Sequence, residues 1–186
     1  MGLLRTIMKN ILKLAISLLV CMGAGGIGSI FTTPEINNWY AGLNKPSFTP
    51  PGAVIGAVWT VLYVLMGISF YLVWKNNWEV KTLPPQNRKT WNRFSDKLLW
   101  GDWRKVNIIV IFAIQLFLNI LWSFIFFTRH LPGLAFFELL MLWVAVSYTL
   151  FNFARVSKLA AYLLIPYILW VSFAGFLNFA LWQLNP

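Results

Sequence analysis

The chain has 186 residues, of which 59% are hydrophobic and only 11% are charged. Soluble domains carry about 25% charged residues, so this composition excludes an ordinary soluble protein and favours one that lies in a bilayer. The net charge of +10 comes from basic residues between apolar runs, which is typical of membrane topology rather than nucleic-acid binding. One cysteine and one histidine exclude a disulfide within the chain and a metal site built on pairs of these residues.

Five apolar stretches are long enough to cross a bilayer, which takes about 20 residues in a helix. We therefore predict an all-α membrane protein with one domain, residues 1–186, whose five transmembrane helices form a bundle. The first stretch also has features of a signal peptide, but its length favours a helix that is retained. The predicted spans are 11–33, 52–74, 107–127, 133–153 and 160–182.

Lysine and arginine residues fall mainly on one side of this predicted bundle. Arg5, the loop 75–106 and Lys158 share the side of the N-terminus, whereas the other side has only Lys45 and Arg129. Cytoplasmic loops carry the excess of basic residues in membrane proteins. We therefore expect a multi-pass protein of a bacterial plasma membrane, with its N-terminus in the cytoplasm and its C-terminus outside.

The two longest loops differ in character. The second, 75–106, mixes tryptophans with basic residues, so it is either an amphipathic segment at the headgroup surface or a solvated basic loop. The first, 34–51, is rich in proline, which restricts its own backbone and that of the residue before it. We expect the first loop to be ordered and to act as a lid. It contains Pro34, Trp39, Tyr40, Pro46, Pro50 and Pro51.

Polar and aromatic side chains within the spans suggest a site. Asn119 and Asn178 lie deep in the third and fifth stretches, where an amide either joins helices by hydrogen bonds or contacts a ligand. Glu138 is an ionisable residue near the start of the fourth stretch, where it either has a functional role or complements the helix dipole. Aromatic faces hold planar ligands by stacking. A cavity for a flat apolar ligand is predicted from tryptophans on three stretches, Trp59, Trp122 and Trp170.

Standard catalytic patterns are absent from the sequence. It contains no nucleophile elbow, no glycine-rich phosphate loop and no cluster of metal ligands. We therefore expect no conventional catalytic residue, no metal and no required cofactor.

Three segments resemble the family of tryptophan-rich sensory proteins and translocator proteins (TspO, the peripheral benzodiazepine receptor of animals). They read WYAGLNKPSFTPP at 39–51, LNILWSFIFF at 118–127 and PYILWVSFAGFLN at 166–178. The resemblance implies a five-helix membrane protein with a ligand pocket under the first loop. One departure is the end of the last stretch, which lacks the tyrosine and basic residue of the animal sterol motif.

The resemblance also implies a function and a set of site residues. It implies a receptor or binding protein for tetrapyrroles, with porphyrin or heme as the ligand and a role in tetrapyrrole transport or stress signalling. The alternatives are a transporter of a porphyrin or lipid and an enzyme that degrades porphyrin with a pocket tryptophan. A homodimer is also expected. The implied ligand-binding residues are Trp39, Tyr40, Pro50, Trp59, Asn119, Trp122, Glu138, Trp170, Ala174 and Leu177.

Overall fold

The computed structural model describes residues 2–76 and 102–185. In that part of the chain the secondary structure is helical, without a strand, and five helices are long and apolar enough to cross a membrane. The predicted all-α fold with five spans is therefore confirmed. The helices are α1 (Gly2–Ile36), α2 (Gly52–Lys75), α3 (Asp102–Ser123), α4 (Pro132–Val156) and α5 (Lys158–Leu184), and a π-helical turn (Phe124–Thr128) extends α3.

The helix ends differ from the predicted ones. Helix α1 runs through Pro34 to Ile36, so the expectation that the first loop begins at Pro34 was wrong. A proline in the last turn removes only one helical hydrogen bond, and the Asn38 side-chain amide donates to the Pro34 carbonyl at 2.8 Å. Helix α3 begins at Asp102, so residues 102–106, with Trp103, belong to a helix and not to the predicted loop 75–106. Residues 77–101, on which the two interpretations of that loop depend, lie outside the described residues.

The five helices form a closed ring in the order α1, α2, α5, α4, α3. Helices α1 and α2 approach closely at Gly67, where an added Cβ would lie 3.0 Å from the Leu18 Cα and 3.2 Å from the Ser17 carbonyl oxygen. Helices α2 and α5 are joined by the Ser69 hydroxyl, which donates to the Ala160 carbonyl at 2.7 Å. Small residues and a satisfied hydroxyl let these helices pack tightly where they cross.

The half of the bundle that lies far from the first loop is filled with side chains. Phe112 stacks on Phe70 with ring centroids 4.5 Å apart and on Phe153 at 5.7 Å. Met66 and Val73 on α2 are completely buried in the same core. The helices therefore contact one another directly in this half, and the half under the first loop encloses the cavity described below.

Candidate functional site

A cavity of about 460 Å³ lies in the half of the bundle under the first loop. Pockets for drug-sized ligands occupy about 300–1,000 Å³ and are mostly apolar. Among the described residues that line it, none is charged. The cavity therefore suits an uncharged, largely apolar group.

The α1 wall of the cavity consists of small residues. It includes Gly25, Gly28 and Thr32. The Thr32 hydroxyl donates to the Gly28 carbonyl at 3.0 Å, so its hydrogen is already used within the helix. An added Cβ at Gly25 would lie 2.6 Å from the ring carbons of Tyr63 on α2. Glycine at this position lets the Tyr63 ring lie flat against α1 and determines the width of the cavity there.

Three tryptophans from three helices face the cavity. Trp59 on α2 lies 5.8 Å from Tyr63, measured between ring centroids, and Trp122 on α3 stacks on Phe126 at 5.2 Å with the ring planes 21° apart. Trp170 on α5 also lines the cavity. These arrangements present flat aromatic faces, which hold planar ligands by offset or edge-to-face packing.

A chain of hydrogen bonds joins the helices at the deep end of the cavity. The Tyr63 hydroxyl donates to the Asn119 side-chain carbonyl at 2.6 Å, and the Asn119 amide donates to the Tyr167 hydroxyl at 2.9 Å. Tyr167 in turn donates to the Gln115 side-chain carbonyl at 2.9 Å. Because Tyr63 and Asn119 also line the cavity, this chain connects its surface with the polar interior of the bundle.

A second polar contact lies nearer the first loop. The Trp122 indole N–H donates to the Asn178 side-chain carbonyl at 2.9 Å, and the Asn178 amide donates to the Pro132 carbonyl at 2.7 Å. Asn178 therefore ties α3, α5 and the start of α4 together while it lines the cavity. Asn119 and Asn178 thus join helices by hydrogen bonds and also line the cavity, and their contact with a ligand stays a prediction.

The segment 37–51, called the lid from here on, covers this end of the bundle. Its Trp39 ring stacks on His130 at 4.3 Å between centroids, and His130 Nε2 lies 3.2 Å from a carboxylate oxygen of Glu35. His130 has a φ of 54°, in the left-handed region, where it ends the π-helical turn. Tyr40 packs on Phe127 at 5.7 Å, and burial raises the pKa of its phenol.

The other half of the lid is attached to the end of α5. The Asn44 backbone N–H donates to the Asn185 side-chain carbonyl at 2.9 Å, and the Asn185 amide donates back to the Asn44 carbonyl at 3.0 Å. Phe48 stacks on Phe176 with centroids 5.2 Å apart. The lid is therefore held at both ends by specific contacts, in agreement with the ordered loop that its prolines predicted.

The cavity opens sideways between α1 and α2. Gly26 on α1 and Gly52 and Gly56 on α2 line it and are exposed, and a Cβ added at any of them would have no neighbour within 4 Å. In a bilayer, this opening between α1 and α2 would face lipid rather than water. An apolar molecule dissolved in the membrane would therefore reach the cavity without crossing an aqueous phase.

A family model for the TspO/MBR family matches residues 16–183. The chain belongs to the TspO/MBR family. It is 38% identical to the tryptophan-rich protein TspO of Chlorobaculum tepidum over 96% of this chain and 99% of the relative. It is also 38% identical to the protein of the same name from Archaeoglobus fulgidus (95% and 99%), and 37% identical to the human translocator protein (86% and 82%).

The structure brings most of the sequence-predicted site residues of this family member together. Trp39, Pro50 and Glu138 lie outside the cavity lining. Trp39 supports the lid through His130, Pro50 precedes α2, and Glu138 is buried on the inner face of α4. The residues that line the cavity are Tyr40, Trp59, Asn119, Trp122, Trp170, Ala174 and Leu177.

Other lining residues were not singled out as ligand contacts from the sequence. Phe126 and Phe127 reach the cavity because the π-helical turn changes the helical phase at the end of α3, which no residue pattern predicts. Tyr63 lies outside the three segments that resemble the family. Glu138 is 6% exposed, and neither of its carboxylate oxygens has a hydrogen-bond partner among the described residues. The described residues hold no group of three metal-ligating side chains.

Proposed function

We propose that the protein is a membrane receptor that binds tetrapyrroles such as porphyrin or heme, together with similar flat apolar molecules. The observation that carries the proposal is the uncharged cavity of about 460 Å³ with Trp59, Trp122 and Trp170 on its walls. A planar conjugated ring gains both apolar burial and stacking in such a space. The side-on opening towards lipid supports a ligand that partitions into membranes.

A fluorescence titration tests this proposal. Protoporphyrin IX added to the purified protein in detergent should quench tryptophan emission and saturate at a defined stoichiometry. Trp170→Ala should weaken binding about tenfold, because it removes a stacking face worth about 1.4 kcal/mol. Trp143→Phe is the matched control, because Trp143 is partly exposed on α4 and does not line the cavity. Quenching that does not saturate, or that both variants weaken equally, would contradict the proposal.

The membrane, the orientation and the oligomeric state belong to the same proposal. We propose a bacterial plasma membrane with the N-terminus in the cytoplasm, supported by the basic residues at the end of the bundle opposite the lid, such as Lys9, Lys75 and Lys158. Single cysteines at Asn44 and at Lys158, in a Cys21→Ala background, would report orientation. A membrane-impermeant maleimide should label the first in intact cells and the second only after lysis. A homodimer stays a prediction from the family resemblance, which light scattering in detergent would decide.

A further inference from the structure

The cavity has no charged side chain among its described lining residues, and this limits what part of a ligand enters it. Moving an ionised carboxylate from water into such a space, without a cation to pair with, is strongly unfavourable. A ligand that has a flat apolar body and an acid group must therefore keep that acid group outside the cavity. A cation at the edge of the cavity would pair with it there.

Lys45 is the only charged residue of the lid. Its ammonium lies 4.8 Å from the centroid of the Tyr40 ring, and Tyr40 lines the cavity. The ammonium also donates to the Ala41 carbonyl at 3.1 Å, which holds it above the lid backbone. An ammonium has three N–H donors, so at least one remains for a ligand after its contacts with the Ala41 and Leu43 carbonyls.

The fold fixes the backbone from which this ammonium extends. The preceding residue, Asn44, exchanges two hydrogen bonds with Asn185 at the end of α5, so the backbone beside Lys45 is attached to the bundle. Lys45 is exposed, so the ammonium on the Tyr40 ring is accessible to a ligand. Because Tyr40 separates this ammonium from the cavity by a single side chain, an acid group that stays outside the cavity beside Tyr40 would lie within reach of Lys45.

We propose that Lys45 forms an anion subsite on the lid beside Tyr40, at the edge of the cavity, which selects planar apolar ligands with a carboxylate on one edge. This inference rests on the proposed function and names the subclass of its ligand. The ring lies among the tryptophans, and the carboxylate lies at the lid, where it accepts a hydrogen bond from the Lys45 ammonium. Esterification of the acid should remove this contact without affecting the ring.

Paired titrations test the subsite. Protoporphyrin IX and its dimethyl ester are compared on the wild type and on Lys45→Gln in a non-ionic detergent, which keeps lipid phosphates from competing for the ammonium. Lys45→Gln should weaken binding of the acid about threefold to tenfold, because the pair is partly solvated, and should leave binding of the ester unchanged. Added salt should weaken the acid on the wild type only.

Two further variants act as controls. Lys45→Arg keeps the charge and should restore most of the affinity for the acid. Lys158→Gln removes an exposed charge at the opposite end of the bundle and should change neither titration. If Lys45→Gln weakens the acid and the ester equally, or weakens neither, the subsite is refuted. If the wild type binds neither compound saturably, the proposed function fails as well, and the two failures are thereby distinguished.

Discussion

The hydrogen bond between Tyr63 and Asn119 provides a quantitative test of how the deep end of the cavity is held together. Both residues are buried, at 7% and 3% exposure, and their oxygens are 2.6 Å apart, which is short for a hydroxyl donor. The bond joins α2 to α3. Hydrogen bonds between membrane helices contribute about 0.6 kcal/mol on average and at most about 1.7 kcal/mol.

The perturbation is a double-mutant cycle with Tyr63→Phe and Asn119→Leu, each of which keeps the side-chain volume similar. Tyr63→Phe should lower the free energy of unfolding by about 1 kcal/mol. Asn119→Leu should lower it by about 1–3 kcal/mol, because it also removes the bond to Tyr167. The coupling energy of the pair should be about 1–1.5 kcal/mol, in the upper half of the range because the contact is short and buried.

The assay is unfolding in mixed micelles by increasing fractions of sodium dodecyl sulfate, followed by far-UV circular dichroism. Tyr162→Phe on α5 is the matched control, since Tyr162 is 62% exposed, and it should leave the free energy of unfolding unchanged. A coupling energy below about 0.3 kcal/mol, which is within ordinary additivity, would refute the argument that this bond joins the two helices.

Three other outcomes follow from the cavity and the lid. Gly25→Ala should displace the Tyr63 ring and reduce porphyrin affinity at least about threefold by fluorescence, because the added Cβ would lie 2.6 Å from that ring, whereas Gly23→Ala, which meets nothing within 4 Å and lies outside the cavity lining, should not. Asn185→Ala should detach the lid, so amide hydrogen exchange at residues 43–45 should accelerate while the helices stay protected. Glu138→Leu should raise the free energy of unfolding by about 1–3 kcal/mol, because it removes two buried oxygens that have no hydrogen-bond partner among the described residues; a decrease would show that the carboxyl is paired.

The sequence alone predicted the class of fold with little ambiguity. Span length and charge bias are constraints that the bilayer imposes on each segment separately, so they can be read without knowing how segments pack. The helix ends were predicted less well. Helix α1 continues to both sides of its predicted span, because Arg5 and Lys9 are good helix formers in water and Pro34 falls in the last turn.

How well the sequence predicted the cavity residues depended on whether a residue's position follows from its own helix or from contacts between helices. The tryptophans Trp59, Trp122 and Trp170 were singled out because aromatic residues within spans are visible one at a time, and all three line the cavity. Trp39 was equally visible, yet it supports the lid on His130, a partner distant in sequence. Nothing in the spacing of Asn44 and Asn185 predicts their reciprocal hydrogen bonds.

By itself, then, the amino-acid sequence determined that this is an all-α protein of five membrane spans, rich in aromatic residues. Those properties can be read from each segment of the sequence separately. Only the tertiary structure decided which side chains face one another: the chain of bonds through Asn119, the small-residue wall at Gly25 and the position of Lys45 beside Tyr40. The physical reason is that cavities and hydrogen bonds between helices depend on rotation and separation of whole helices, which no single segment encodes.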